Sequence, residues 1–174
     1  RDGLCLTGAA ARPGDKIIVS GDIGRHGCAI LLARDSFGIE ADVTSDCAPL
    51  NRTVAAVLSE TENVHVIRDA TRGGVGTVLY EIAAQSGTGM HLTAENIPVR
   101  PAVKGVCGML GLEPLYLACE GRLVFVVPAE AAEQVVAVLH TWPYSADAAI
   151  IGEVTDRRSG TVTMTTEIGT ETIL

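Results

Sequence analysis

The feature that most constrains the fold is a pattern that occurs twice, in which an apolar β-branched run leads through a glycine-rich segment into an amphipathic stretch. Lys16–Ser20 is followed by Gly21–Gly27, and Val64–Arg68 is followed by Asp69–Gly74. Each glycine-rich segment is followed by apolar residues at helical spacing, which predicts a strand, a turn and a helix. The repeated pattern indicates helices that pack against a sheet.

The rest of the chain adds helices, strands and a β-rich end. Further helices are predicted over Cys28–Arg34, Leu50–Ser59, Pro101–Leu110 and Ala129–His140. Further strands are predicted over Gly89–Thr93, Leu123–Val127, Ala149–Thr155, Thr161–Thr166 and Glu171–Leu174. Turns at Arg157–Gly160 and at Gly169 predict hairpins between the last three strands. Because strands alternate with helices early but adjoin late, we expect an α/β or α+β fold, with a mixed sheet and packed helices.

Apolar spacing also predicts which side of each helix is buried. The expected inner positions are, in chain order, Ala29, Ile30, Leu32 and Ala33, then Val78, Leu79, Ile82 and Ala83, then Ala132, Val135, Val136 and Leu139. Residues three and four apart lie on one face of a helix, so each set predicts a face that packs against the sheet.

Composition and charge narrow the class of protein. The chain has 174 residues, of which 47% are hydrophobic. Residues 1–174 can therefore form a single domain whose buried core needs no disulfides or metals. The formal net charge of −8 disfavours nucleic-acid binding, because affinity for the phosphate backbone comes from clustered Lys and Arg. No apolar run is long enough to span a membrane. Five cysteines without a CxxC pair fit a reducing compartment, and we expect a cytoplasmic protein.

The first candidate site is the glycine-rich segment Gly21–Gly27. It follows a strand and enters a helix, where free N–H groups and the helix dipole favour an anion. Asp22, Arg25 and His26 lie within it, and the two basic side chains could bind an oxyanion or face water. The GxxGxxG spacing matches neither the P-loop nor the dinucleotide fingerprint, so a tight turn is the alternative.

The second candidate combines a carboxylate, a hydroxyl, a guanidinium and two glycines within six residues. Its members are Asp69, Thr71, Arg72, Gly73 and Gly74. The functional interpretation is a phosphate or nucleotide cradle in which the Arg72 guanidinium donates to phosphate oxygens. The alternative is structural: Asp69 or Thr71 caps the following helix, and Arg72 pairs with a surface acid.

The third candidate is Glu120, which stands just before the apolar run Leu123–Val127. We expect its carboxyl group to be partly desolvated, which would raise its pKa and suit it to acid or base catalysis. The alternative is a solvated glutamate at a strand end. Ser45–Cys47 is a weaker candidate, typical of a helix N-cap. His26 and Cys28 lack a matching pair elsewhere, and no metal site is predicted.

In this order, the segments resemble the C-terminal domain of the HypE family of hydrogenase maturation proteins, within the aminoimidazole ribonucleotide synthetase superfamily. The resemblance covers nearly the whole chain. The segments that carry it are Gly14–Lys16, Ser20–Gly27 (SGDIGRHG), Ser45–Leu50 (SDCAPL), Arg68–Val75 (RDATRGGV), Ile97–Val103 (IPVRPAV), Gly111–Leu115 (GLEPL), Glu120–Gly121 and Asp147–Val154 (DAAIIGEV).

The resemblance implies an ATP-dependent carbamoyl dehydratase that converts a C-terminal S-carbamoyl cysteine into a thiocyanate, the source of the cyanide ligands of [NiFe]-hydrogenase. It implies a homodimer, with the carbamoyltransferase HypF upstream and the HypC–HypD scaffold downstream. It also implies a partly ferredoxin-like C-terminal domain. ATP and Mg would be bound mainly by an N-terminal domain.

The same resemblance implies roles for individual residues. Glu120 would accept protons near the reacting tail, and Arg72 would offset charge on the departing phosphate. The residues expected to face the nucleotide phosphates or the tail are Asp69, Thr71, Gly73 and Gly74, with Asp22, Arg25 and His26 in the same cleft. Cys119 and Arg122 stand where the family more commonly has Asn and Lys.

The chain is expected to be one domain of a longer protein. Arg1 stands where a complete chain would have Met, and the last residues, Ile173 and Leu174, do not form the family's Pro-Arg-x-Cys tail. We therefore expect the N-terminal ATP-binding domain and the acceptor cysteine to be missing, and the 174-residue chain to be inactive alone. The alternatives are a non-catalytic module for dimerisation and partner docking, or a sister ATP-dependent enzyme acting on a small amide or phosphate acceptor.

Overall fold

A computed structural model describes residues 6–34, 38–157 and 159–174, and within them seven strands form one sheet that packs with five α-helices. The strands are β1 Lys16–Val19, β2 Val66–Asp69, β3 Gly89–Thr93, β4 Leu123–Val127, β5 Ala149–Thr155, β6 Thr161–Thr165 and β7 Glu171–Ile173. The helices are α1 Arg25–Ala33, α2 Asn51–Glu60, α3 Gly74–Ser86, α4 Pro101–Leu110 and α5 Ala129–His140. No helix among these residues is long and apolar enough to cross a bilayer. Three residues that the sequence-based predictions use lie outside the described residues: Arg1, Cys5, which is one of the five cysteines, and Arg158.

The sheet is mixed, which confirms the predicted fold class. Its order is β2-β4-β1-β5-β3-β6-β7, and every neighbouring pair is antiparallel except β3 and β6, which are parallel. The predicted hairpin between β5 and β6 is wrong. Both edges of β5 are occupied, one by β1 and the other by β3, so β6 pairs with the outer edge of β3 instead. The predicted hairpin at Gly169 is confirmed, because it joins the antiparallel strands β6 and β7.

Helices cover both faces of the sheet, and the side chains of each strand alternate between the two layers. Val124 and Val126 of β4 belong to the cluster under α3, whereas Phe125 and Val127 belong to the cluster under α2 and α5. This double burial explains why β4 is apolar at every position instead of alternating. The predicted inner faces of α3 and α5 are confirmed.

The prediction for α1 is wrong in two respects. The helix begins at Arg25, earlier than the predicted Cys28, because Gly24 adopts a left-handed conformation (φ 80°) that ends the loop one residue before it. Its apolar residues are also less buried than expected: Ile30 is 40% exposed, and Cys28 is the buried residue of the helix. Helix α1 packs on α4 through Cys28 and Leu32, at the periphery of the domain.

Candidate functional site

Sheet topology brings the three predicted segments to a single edge of the sheet, the one formed by the ends of neighbouring strands and not by an outer strand. Strands β1 and β2 end at this edge, whereas β4 and β5 begin there. The register shows this directly, because Val19 lies opposite both Val124 and Ala149, and Asp69 lies opposite Leu123. Residues 21–27, 69–74 and 119–122 are therefore neighbours in space, although up to 100 residues separate them in sequence.

Backbone hydrogen bonds lock the Glu120 segment between the other two. On one side, the Ala70 N–H donates to the Arg122 carbonyl oxygen at 3.2 Å, and the Cys119 N–H donates to the Ala70 carbonyl oxygen at 3.0 Å. On the other side, the Leu123 N–H donates to Ser20 Oγ at 2.9 Å. The segment that carries Glu120 is thus held by the residues that directly follow β1 and β2.

The Glu120 side chain is exposed, so the expected partial desolvation of its carboxyl group is wrong. Its backbone is fixed, because the Glu120 N–H donates to Asp46 Oδ1 at 2.7 Å. The apolar run that suggested burial begins only at Leu123, three residues later. The arrangement therefore presents a solvent-facing carboxylate on an anchored backbone.

The segment 69–74 is shaped by its glycines and not by side-chain caps. Gly73 and Gly74 have φ of 72° and 63°, and a Cβ on Gly74 would lie 2.5 Å from the carbonyl oxygens of Leu115 and Leu117. Gly73 is the N-cap of α3, so the alternative in which Asp69 or Thr71 caps this helix is wrong. Instead, Thr71 Oγ1 donates to Asp69 Oδ2 at 2.9 Å.

Arg72 is exposed, and within the described part of the chain no group accepts a hydrogen bond from its guanidinium. The alternative in which Arg72 pairs with a surface acid is therefore not supported. An unpaired guanidinium beside a helix N-terminus is suited to an oxyanion, because both favour negative charge.

Asp22 is buried and surrounded by arginines. Its Oδ1 accepts a hydrogen bond from Arg122 at 2.6 Å, and its Oδ2 forms an ion pair with Arg25 Nε at 2.7 Å, without hydrogen-bond alignment. Arg100 approaches the same oxygen at 3.2 Å and lies 3.7 Å from Asp147. The group lines a cleft of about 290 Å³. Asp22 and Arg25, both expected to face a cofactor, are thus paired with each other.

The N-terminus of α1 holds a carboxylate of the protein itself. Asp46 Oδ2 accepts from the His26 N–H at 3.4 Å, and the Gly27 N–H donates to the Ala118 carbonyl oxygen at 2.9 Å. The His26 ring contacts Ser45 Oγ at 2.9 Å. The predicted anion at this helix end is therefore supplied internally, by Asp46.

The sequence did not indicate the role that Asp46 has in the site. The expected N-cap role of residues 45–47 is wrong, since α2 begins at Asn51 with Leu50 as its N-cap. The side chain of Asp46 instead accepts hydrogen bonds from the backbone of residues 120 and 121, in the loop of residues 119–122 that we call the Glu120 loop. Arg100 was missed too, because nothing in its local sequence indicates that it reaches Asp22.

Cys119 is a buried thiol whose residue contacts both neighbouring segments, through Gly24 and Ala70. Burial raises the pKa of Cys119 to about 12, and the hydrogen bond from the Gly24 N–H to its Sγ, at 3.3 Å, only partly opposes this. A thiol with so high a pKa is a poor nucleophile at neutral pH. We therefore assign Cys119 a packing role at the contact between residues 21–27 and 119–122.

The described residues contain no group of three or more His, Cys, Asp or Glu side chains placed to hold a metal ion. Magnesium in proteins is usually held by carboxylates together with phosphate oxygens and water. The carboxylate of Asp69 already accepts a hydrogen bond from Thr71. As a single carboxylate it does not provide enough ligands for a magnesium site.

Comparison with known proteins identifies the family. Residues 12–165 match the family described as "AIR synthase related protein, C-terminal domain". The chain belongs to this family. It is 47% identical over 167 residues to the carbamoyl dehydratase HypE of Azotobacter vinelandii, and 48% identical over 145 residues to that of Escherichia coli K12. These alignments cover 96% and 83% of this chain but 49% and 43% of the relatives. The chain thus spans about half the length of these relatives.

Solved structures agree with this family membership. A HypE structure in complex with ATP is 44% identical with a TM-score of 0.92, and covers 97% of this chain and 52% of its own length. A HypE–HypF complex is 41% identical with the same TM-score, and covers 97% and 55%. Thiamine-monophosphate kinase from Stenotrophomonas maltophilia, at 23% identity and a TM-score of 0.64, shares the fold. The predicted resemblance to the HypE family is confirmed.

Proposed function

We propose that this chain is the C-terminal domain of an ATP-dependent carbamoyl dehydratase that converts an S-carbamoyl cysteine into a thiocyanate during [NiFe]-hydrogenase maturation. One observation carries the assignment of the site: an exposed carboxylate, Glu120, and an exposed guanidinium, Arg72, which has no acceptor among the described residues, lie on adjoining segments at one sheet edge. Relatives at 47% identity that are named carbamoyl dehydratase support the reaction class.

The residues at this edge fit a nucleotide phosphate. Arg72 has no protein acceptor among the described residues, and Gly73 and Gly74 open the first turn of α3 without a side-chain cap. Phosphate oxygens are typical ligands of such a helix N-terminus. Bound ATP supplies the phosphoryl group that turns the carbamoyl oxygen into a leaving group.

The remaining chemistry is assigned to this chain's own residues. Glu120 accepts a proton from the carbamoyl nitrogen as phosphate departs from carbon, which leaves the C≡N triple bond on sulfur. The other N–H proton is released to water when the carbamoyl oxygen is phosphorylated, and the carbamoyl oxygen leaves with the phosphate, so the products are the thiocyanate, ADP and phosphate. Arg72 offsets the negative charge on that phosphate, which lowers the barrier to its departure.

Further parts of the enzyme are proposed from the family. The other half of the relatives' length would provide an N-terminal domain that contributes most ATP and Mg contacts, and a Pro-Arg-x-Cys tail would carry the acceptor cysteine. The 174-residue chain by itself would be inactive. We place the enzyme in the cytoplasm as a homodimer, with HypF and HypC–HypD as partners; the HypE–HypF complex of a relative supports the first.

The test uses the longer protein that contains this chain, carbamoylated by HypF and then given ATP, with the C-terminal peptide followed by mass spectrometry. The wild type is expected to lose one water per carbamoyl group. Glu120→Gln is expected to remain carbamoylated, with dehydration slowed about 10²–10⁴-fold, the usual contribution of a general base. The matched control is Glu130→Gln, an exposed glutamate at the start of α5, near the opposite edge of the sheet.

The possible outcomes separate the candidate functions. Dehydration by Glu120→Gln at the wild-type rate would remove the catalytic role of Glu120. A wild type that binds HypF but never loses water with ATP would favour the non-catalytic docking module instead.

A further inference from the structure

Asp46, a residue that is 3% exposed, connects two segments of the candidate site, 21–27 and 119–122, through its carboxylate. Oδ1 accepts from the N–H of Glu120 at 2.7 Å and from the N–H of Gly121 at 3.1 Å. Oδ2 accepts from the N–H of His26 at 3.4 Å. One side chain thus bonds two consecutive amides of the Glu120 loop and one amide of α1.

We infer that Asp46 is a positioning residue that fixes the backbone of Glu120, and hence the origin of its carboxylate, against the N-terminus of α1, while hydrogen bonds with Ala70 join the same loop to segment 69–74. The inference rests on the proposed function of Glu120. Asp46 itself touches no reacting group, because its oxygens face backbone amides.

The close approach of the two loops supports this role. A Cβ on Gly121 would lie 1.9 Å from the Asp46 carbonyl oxygen and 2.9 Å from the Ala48 nitrogen. The loop therefore passes against the backbone of residues 46–48, and a glycine is required at 121 for this passage. Arg122 holds the next peptide group, since its Nη1 donates to the Gly121 carbonyl oxygen at 2.8 Å.

The charge of Asp46 suits the position. A carboxylate that accepts from two backbone amides forms charge-assisted hydrogen bonds, which are roughly twice as strong as neutral ones. Asp46 also lies at the positive end of the α1 dipole, which stabilises a negative charge. A neutral amide in its place would still offer one oxygen to the amides of Glu120 and Gly121.

The chain offers a matched control, Asp15. It is also a buried carboxylate, 5% exposed, and it accepts from the Arg12 N–H at 2.8 Å and pairs with His65 Nδ1 at 2.7 Å. Asp15 precedes β1, so it lies at the sheet edge opposite Glu120. Asp15→Ala removes a comparable network without touching the Glu120 loop.

The experiment compares Asp46→Ala, Asp46→Asn and Asp15→Ala in the longer enzyme. Dehydration kinetics and hydrogen–deuterium exchange of the peptide that contains Glu120 and Gly121 are both measured. Asp46→Ala is expected to lower kcat about 10–100-fold, the effect of misplacing a catalytic group by about 1 Å, with KM for ATP nearly unchanged. Its Glu120 peptide is expected to exchange faster. Asp46→Asn is expected to restore slow exchange and most of kcat, and Asp15→Ala to keep both.

Several results would overturn the inference. These are a wild-type kcat in Asp46→Ala, an equal loss of kcat in Asp15→Ala, and a rise in KM for ATP that accounts for the whole defect. Failure of Asp46→Asn to recover kcat despite slow exchange would do the same. A wild-type enzyme without turnover would overturn the proposed function instead, and the exchange of the Glu120 peptide would then decide whether Asp46 holds the loop.

Discussion

The carboxylate of Asp22 and the guanidinium of Arg122 lie 2.6 Å apart and are both almost completely buried, at 2% and 3% side-chain exposure. Arg122 also donates from Nε to the Asp22 carbonyl oxygen at 2.7 Å. One arginine therefore binds the loop after β1 to the segment before β4 through both main-chain and side-chain atoms. Since residues 119–122 carry Glu120, this pair contributes to the rigidity of the candidate site.

Asp22→Ala is expected to destabilise the domain strongly. Removing one partner leaves a buried guanidinium uncompensated, which costs about 3–5 kcal/mol in the free energy of unfolding. Asp147→Ala is the control, because Asp147 is half-exposed and 3.7 Å from Arg100, and its loss is expected to cost less than about 1 kcal/mol. Urea unfolding of both variants makes the comparison. Equal losses would show that the buried pair is not a main source of stability.

Two glycines in helices are expected to respond to alanine in opposite directions. Gly74→Ala places a Cβ against two carbonyl oxygens at a positive φ, and strain and overpacking together are expected to cost about 3 kcal/mol or more. Gly105 lies inside α4 with nothing within 4 Å of a Cβ, so Gly105→Ala is expected to stabilise by about 0.5–1 kcal/mol. Thermal unfolding gives both signs. A harmless Gly74→Ala would contradict the close packing of α3 against residues 115–117.

Alkaline pH is expected to destabilise the protein through its buried thiols. Burial raises the pKa of Cys119 to about 12 and that of Cys107 to about 11, so the folded state holds these protons while the unfolded thiols ionise. Their contribution is complete below the unfolded pKa of about 9 and is lost as pH rises above it. Unfolding free energies at several pH values test this. Cys119→Ala should lose less stability at high pH than the wild type.

Cys47→Ala provides the comparison for the thiol prediction. Cys47 is exposed, so its removal is expected to leave the alkaline loss of stability as in the wild type. An identical pH dependence in Cys119→Ala and Cys47→Ala would show that other groups cause the loss.

Arg72→Ala is expected to separate binding from stability. Because no described residue accepts from Arg72, the free energy of unfolding should change by less than about 0.5 kcal/mol. In the longer enzyme, ATP affinity should fall roughly tenfold or more, the value of a lost hydrogen bond to a charged group. Calorimetric titration with ATP measures this. Arg68→Ala is the control, since Arg68 pairs with Glu81 at 2.7 Å and should retain affinity; equal weakening would contradict a specific role for Arg72.

Local structure was largely predictable from the sequence. The bounds of β3, β4, β5, α4 and α5 agree with the prediction, because periodicity, glycine and proline act over a few neighbouring residues. At α1 the prediction is wrong because glycines lie next to and inside the helix instead of ending regular structure. Gly27 lies within α1, and the close packing of the helix explains why this residue is a glycine: a Cβ would be 3.0 Å from the Ala118 nitrogen.

The sequence by itself determined the element types, the mixed sheet, the candidate segments and the family. Only the tertiary structure decided the surroundings of the charged residues. Asp22 pairs with Arg122, Asp46 binds the backbone of the Glu120 loop, and Glu120 faces solvent. The physical reason is that helix and strand patterns depend on near neighbours. Ion pairs across 100 residues depend instead on the order of strands in the sheet, for which the local sequence carries no signal.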